Sequence, residues 1–217
     1  MSQIKPVAGP VSAAVRHYYE DLFDQQIDRF SQNGVPNELT TFFKEYKKSV
    51  IDVVITRHYP EGYLPFLLVL TTQCLGLYGL MRLIHIAGVI GIPERPTVLV
   101  RDVIRTSCTP YVVVGVEDGS VTLGKSGFEA ERELGSLGLS PLSCSEAIAL
   151  AAQNKSVLLH HGLHAMGSRY FEQGDTHVPS LQLESGRPIL GYHFPDIALP
   201  TRGTPSCSER IFLIKDF

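Results

Sequence analysis

Tryptophan is missing altogether, and the 217 residues hold only 3 methionines and 4 cysteines. The cysteines, Cys74, Cys108, Cys144 and Cys207, are too far apart for a Cys-x-x-Cys redox pair or zinc-ribbon spacing. Reduced, structural thiols in a cytoplasmic protein are therefore expected. An excess of one charge is also missing. With 19 basic and 22 acidic side chains, the formal net charge is −3. That gives no general attraction to nucleic acid or to anionic lipid. No basic run exceeds Lys47-Lys48, so no phosphate-binding stripe is expected either. Met1 to Pro10 has no apolar stretch of signal-peptide type, and no leader is expected. What the chain does have is apolar mass. Hydrophobic residues make up 44% and charged residues 19%, a balance that excludes disorder.

One stretch lacks charge altogether. Gly62 to Met81 is long enough to cross a bilayer. Pro65, Thr71, Thr72, Gln73, Gly76 and Gly79 interrupt it. Its first half, Tyr63 to Leu70, is bounded by turn formers and reads as a buried strand. Its second half continues as a helix over 75–86. A soluble protein without membrane contact is expected.

Ser12 opens an amphipathic pattern. Val15, Tyr18, Tyr19, Leu22, Phe23, Ile27 and Phe30 fall on one helical face, and Asn33-Gly34 stops it. Pro36-Asn37 starts a second helix, with Leu39, Phe42, Phe43 and Tyr46 inward. The β-branched run 50–56 then predicts a strand. Further strands are expected over 97–104, 111–117 and 121–123, and a helix over 128–137. Ser143 with Glu146 is a capping box, so it predicts a helix through Leu150, with a short turn over 157–159. The remainder reads as strands over 163–166, 178–183, 189–193 and 211–214. Ser185-Gly186-Arg187-Pro188, between two of them, has hairpin composition. No repeat or linker divides the chain. The expectation is one α+β domain over 1–217, in which a helical pair (1–48) packs on a mixed, largely antiparallel sheet (49–217).

Three motifs invite chemistry. Gly119 to Ser126 fits G-x-x-x-x-G-K-[ST], a phosphate-cradling loop, but Val121-Thr122-Leu123 prefer extended backbone. His160 and His164 are four apart, yet Gly162 breaks the helix that would align them on a metal. Gly167-Ser168-Arg169, followed by Asp175 and His177, supplies nucleophile, acid and base types without the G-x-S-x-G elbow. A Gly-Ser-Arg at a strand end is better suited to holding an anion.

Several segments occur in an order that resembles a bacterial family of unknown function. They are Phe23-Asp24-Gln25-Gln26-Ile27 with Asn33-Gly34, Pro141-Leu142-Ser143 with Glu146 to Leu150, Gly167-Ser168-Arg169, Val178-Pro179-Ser180-Leu181, and Gly186 to Tyr192. The resemblance spans most of residues 20–210 and implies a soluble bacterial protein, with no activity attached. After Gly191 the family is rich in tryptophan, whereas this chain reads Tyr192-His193-Phe194-Pro195.

No acid, base, nucleophile or metal set converges in this reading, and no cofactor is implied. The function expected is therefore non-catalytic: a binding, accessory or regulatory protein with a small anionic ligand or a protein partner. The residues expected to bind are Ser168, Arg169, Arg187, Tyr192, His193 and Arg202, with Tyr192, His193, Arg202 and Arg169 around one cleft. The alternative is an enzyme acting on a small anionic substrate, clamped by Arg169 and Arg187 with His177 or His193 as acid–base group. Nucleotide binding through Gly119 to Ser126 comes third.

Overall fold

In the computed structural model, which describes residues 5–6, 12–95, 99–171 and 177–213, a two-residue strand β1 (Lys5–Pro6) precedes helix α1 (Ala13–Gln32). Ser12 is extended, and its hydroxyl accepts the Val15 N–H, as an N-cap does. Phe23, Ile27 and Phe30 are buried as the periodicity predicts, but Val15 and Tyr18 at the start of the stripe are exposed. Helix α2 (Asn37–Glu45) follows, then α3 (Lys47–Val54). Here the predicted strand over 50–56 is corrected. Val50, Ile51 and Val54 sit at helical spacing and are all fully buried. Burial of a helical face outweighs the β preference of branched side chains, which mainly reflects packing context.

Strand β2 (Arg57–His58) pairs with β1, and β3 (Leu64–Val69) is the expected buried strand. Helix α4 (Thr72–Met81) is broken at Gly76. Short strands β4 (His85–Ile86), β5 (Val89–Ile90) and β6 (Ile92–Pro93) precede β7 (Val100–Asp102). The strand predicted over 97–104 is shorter than expected, and Thr97 lies outside the described residues. Strand β8 (Tyr111–Val116) is buried along its whole length. A 3-10 turn, Ser120–Thr122, replaces the strand predicted over 121–123. Then come α5 (Gly127–Ser136), β9 (Ser140–Pro141), α6 (Cys144–Gln153), α7 (Ser156–His160) and β10 (Gly162–His164). The chain continues through β11 (Ser168–Tyr170), β12 (Val178–Glu184), β13 (Arg187–His193), β14 (Arg202–Gly203), β15 (Ser206–Cys207) and β16 (Glu209–Phe212). Ile214 of the last predicted strand is outside the described residues.

Two sheets carry the fold. One has the order β16-β8-β3 and is antiparallel; the other has the order β14-β10-β12-β13-β6. In the second, β10–β14 and β13–β6 are parallel and the inner pairs antiparallel. The class is α+β, with N-terminal helices and mixed, mostly antiparallel sheet. Helix α6 packs against β3 of one sheet and β12 of the other, and all of its residues are buried. Its capping box forms as predicted, with Ser143 Oγ accepting the Glu146 N–H and Glu146 Oε2 accepting the Ser143 N–H. Glu146 also takes a forked pair of hydrogen bonds from Arg210 on β16 and one from Tyr111 on β8. The helix is thereby bound to the three-stranded sheet at its polar end. The N-terminal helices join the same core. Gln26 of α1 donates to Phe66 O and accepts from the Leu68 N–H, so its amide satisfies the edge of β3 as a neighbouring strand would. Among the described residues, no helix is long and apolar enough to cross a membrane.

Candidate functional site

The hairpin β12–β13 sets the geometry. Ser185 and Gly186 have φ of +48° and +80°, the mirror-image turn that joins twisted strands in two residues. That turn fixes the register, which places Leu181 opposite Leu190 and Ser180 opposite Gly191. Across β10, Leu163 meets Leu181 and His164 meets Ser180. Side chains alternate along a strand. Leu163, Leu181 and Leu190 therefore turn into the core, where they are buried. His164, Ser180 and the bare Gly191 form a row on the other face.

Arg202 completes this row. It lies on the edge strand β14, opposite Gly162 of β10. Its guanidinium crosses β10, and Nη1 donates to Ser180 Oγ on β12. A Cβ at Gly162 would stand 3.4 Å from that nitrogen and 3.1 Å from Leu181 O. The missing side chain at Gly162 is what leaves the arginine its path. Arg202 is half-buried, and burial pulls its pKa down with only Glu184 opposing. No carboxylate lies within ion-pair distance of it among the described residues.

Two imidazoles stand beside it. His164 and His193 stack with ring centres 4.9 Å apart. His164 is 1% exposed, and its Nε2 has no partner among the described residues. Burial, then His193 and Arg202, push its pKa down to about 3, so it is neutral. Burial and Arg202 also lower the pKa of His193, whose Nδ1 lies 2.9 Å from Phe194 O. The group therefore holds one permanent cation beside two imidazoles that resist protonation. A cavity of about 200 Å³ adjoins it, lined by His160, His161, Gly162, Gln182, Thr201 and Arg202 among others.

The other expected residues are placed elsewhere. Ser168 is fully buried; its Oγ donates to Asp102 Oδ1 (2.5 Å) and accepts the Cys144 N–H (2.8 Å). Arg169 Nη1 donates to the carbonyls of Met166 (2.5 Å) and Ser168 (2.9 Å), and Nη2 is 3.8 Å from Glu131. Arg187 is exposed beside the hairpin turn, at the far end of β13 from His193. Tyr192 points to the face opposite His193, where its hydroxyl accepts from Arg95 and its ring meets Tyr170 and His177 edge-on. The expected grouping of Tyr192, His193, Arg202 and Arg169 around one cleft is thus replaced by Arg202, His193, His164 and Ser180. The period-two alternation of β13 separates Tyr192 from His193.

The motifs are put to other uses. Ser126 and Glu129 form a second capping box at α5, so a side-chain carboxylate occupies the helix end a phosphate would need. Lys125 pairs with Glu133. His160 ends α7 while His164 lies on β10, so they share no helical face. No group of three or more potential metal ligands occurs among the described residues. Asp175 lies outside the described residues.

Sequence reading missed Ser180 and the role of His164. The alternation in Val178-Pro179-Ser180-Leu181 carries the signal for Ser180, a polar residue between two core positions. Nothing local marks His164 as the neighbour of His193, which comes from strand pairing.

The architecture defines an α+β protein with an arginine that has no carboxylate partner among the described residues, beside two histidines with lowered pKa, on the sheet face opposite Leu163, Leu181 and Leu190. The chain belongs to the family of unknown function DUF5701, which matches it over residues 18–193. That span takes in His164, Ser180 and His193 and stops before Arg202. No curated protein and no solved structure matches the chain.

Proposed function

We propose that this protein is a binding module for a small anionic ligand, held at Arg202 on the edge strand of the five-stranded sheet. The observation that carries this is the half-buried guanidinium without a carboxylate partner. A partly desolvated charge calls for a counter-charge, and a planar guanidinium matches a carboxylate or phosphate in a fork. Nη1 is bound to Ser180, and Arg202 lines the adjoining cavity. A protein partner presenting a carboxylate would meet the same donors. A reducing cytoplasm fits the reading, since all four cysteines are free thiols.

Calorimetric titration with inorganic phosphate and with a small dicarboxylate tests it. Binding that weakens with salt and disappears in Arg202→Gln is the expected result. Binding that is unchanged in that variant, or absent at about 10 mM ligand, overturns the proposal.

One observation favours the catalytic alternative. Burial and Arg202 lower the pKa of His193, which favours the unprotonated form a general base requires. The arginine clamp of that alternative would be Arg202, because Arg169 and Arg187 lie elsewhere. Turnover of an anionic substrate that is lost in His193→Gln supports the catalytic reading, and binding without turnover in the wild type supports the binding module.

A further inference from the structure

A second cavity, of about 390 Å³, lies between the first turns of α4 and α6 and strand β7. Its wall includes Thr72, Gln73, Asp102, Thr106, Cys144 and Ser145. It shares no residue with the Arg202 site.

The α6 end of this cavity is short of acceptors. The capping box takes the N–H groups of Ser143 and Glu146, and Ser168 Oγ takes that of Cys144. The Ser145 N–H has no partner among the described residues. The Ser145 side chain is in the same position. The residue is only 6% exposed, lines the cavity, and its hydroxyl makes no hydrogen bond among the described residues. A helix N-terminus with a free N–H and a free hydroxyl is suited to an anion.

The opposite wall has the opposite need. Asp102 accepts from Ser168 Oγ (2.5 Å) and Thr106 Oγ1 (2.8 Å), and no basic group lies within ion-pair distance among the described residues. Asp102 is exposed where it lines the cavity, and its negative charge has no cation beside it there among the described residues. Arg101 also borders the cavity, but its guanidinium stacks over the Phe171 ring at 4.5 Å. The buried Cys144 thiol, its pKa raised by burial, behaves as apolar wall.

The two needs are adjacent. Ser168 Oγ stands between Asp102 and the Cys144 N–H, so carboxylate and helix end are about two hydrogen bonds apart. A simple anion would be repelled by Asp102, and a simple cation by the helix dipole. A ligand with both charges on one carbon satisfies both walls. We propose that this cavity binds a free α-amino acid, its carboxylate on the N–H and hydroxyl of Ser145 and its ammonium on Asp102. Thr72, Gln73 and Leu99 leave a mixed, uncharged surface for its side chain. The volume falls in the range of small-molecule sites.

The test is calorimetric titration of the full chain with uncharged L-amino acids, up to about 10 mM, alongside the matching amines and des-amino acids. At least one amino acid is expected to bind, with its amine and its des-amino acid each about tenfold weaker or worse. Asp102→Asn should reduce amino-acid affinity to that of the des-amino acid. Ser145→Ala breaks no hydrogen bond among the described residues, so it should weaken binding several-fold with Tm unchanged. Arg202→Gln should leave amino-acid binding intact, which separates this proposal from the anion site. The proposal is overturned if no amino acid binds, if the des-amino acid binds equally well, or if both Asp102→Asn and Ser145→Ala bind as the wild type does.

Discussion

Glu117 and His164 are both buried, and they pull stability in opposite directions as pH changes. Glu117 is 2% exposed at the end of β8. Its Oε1 accepts from Ser120 Oγ and the Val121 N–H, while Oε2 has no partner among the described residues. Burial, against those hydrogen bonds, raises its pKa from 4.5 to about 7. Between these two values the unfolded chain has lost the proton and the native state still holds it. Stability from this group is therefore full below pH 4.5 and falls as pH rises to about 7, by at most about 1.4 kcal/mol per pH unit. His164 does the reverse. Its pKa is lowered from 6.5 to about 3, so its contribution is full above 6.5 and falls as pH drops toward 3. Between about pH 4.5 and 6.5 the two slopes offset one another. Glu117→Gln should unmask a stability that falls with acid across this window, and His164→Gln one that rises with acid. Urea midpoints at several pH values read both, and parallel curves for the wild type and the two variants would contradict the assignment. Neither effect was legible in the sequence, where Glu117 is simply the last residue of the strand predicted over 111–117. Burial of a single carboxyl is decided by strands distant in the chain.

At the scale of elements, local chemistry and burial divided the outcome. The capping box at Ser143, the N-cap at Ser12 and the hairpin at Ser185-Gly186 form as their residues require, because each is satisfied within a few residues of chain. The strands expected over 50–56 and 121–123 fail because their β-branched residues answered to packing instead. Val50, Ile51 and Val54 gain burial as a helical face, and Thr122 is buried in a 3-10 turn with its hydroxyl accepting the Thr204 N–H. The junction between elements that matters most is Glu146 with Arg210. The Arg210 side chain is 9% exposed and that of Glu146 is fully buried. Breaking a buried pair from one side leaves a charge without its counterpart, at a cost of about 3–5 kcal/mol. Glu146→Gln is expected to fall in that range by urea unfolding. Glu146→Gln with Arg210→Met should recover part of the loss, since the stranded charge is gone. A double variant less stable than both single ones would show that the pair, rather than its isolation, carries the stability.

For the whole molecule, the N-terminal helices share a core with both sheets. Phe23, Ile27 and Phe30 pack in the cluster that contains Phe66, Val114 and Leu150. The side chain of Gln153 on α6 donates to Gln26 O, closing the contact from the other side. Far-UV circular dichroism and the tyrosine near-UV signal are therefore expected to report one coincident unfolding transition. Deletion of residues 1–36 should leave no cooperative transition, because it uncovers that cluster and the edge of β3. Two separated transitions in the full chain would refute this. The sequence by itself determined the class of fold, most helix limits, the β12–β13 hairpin and the absence of a redox or zinc-ribbon cysteine motif. These follow from periodicity, capping and turn chemistry, which act over a few neighbouring residues. Only the tertiary structure decided which polar groups meet. Arg202 reaches Ser180 over Gly162, His164 stacks on His193, and Ser168 stands between Asp102 and α6, because strand register sets faces and neighbours between segments that have no contact along the chain.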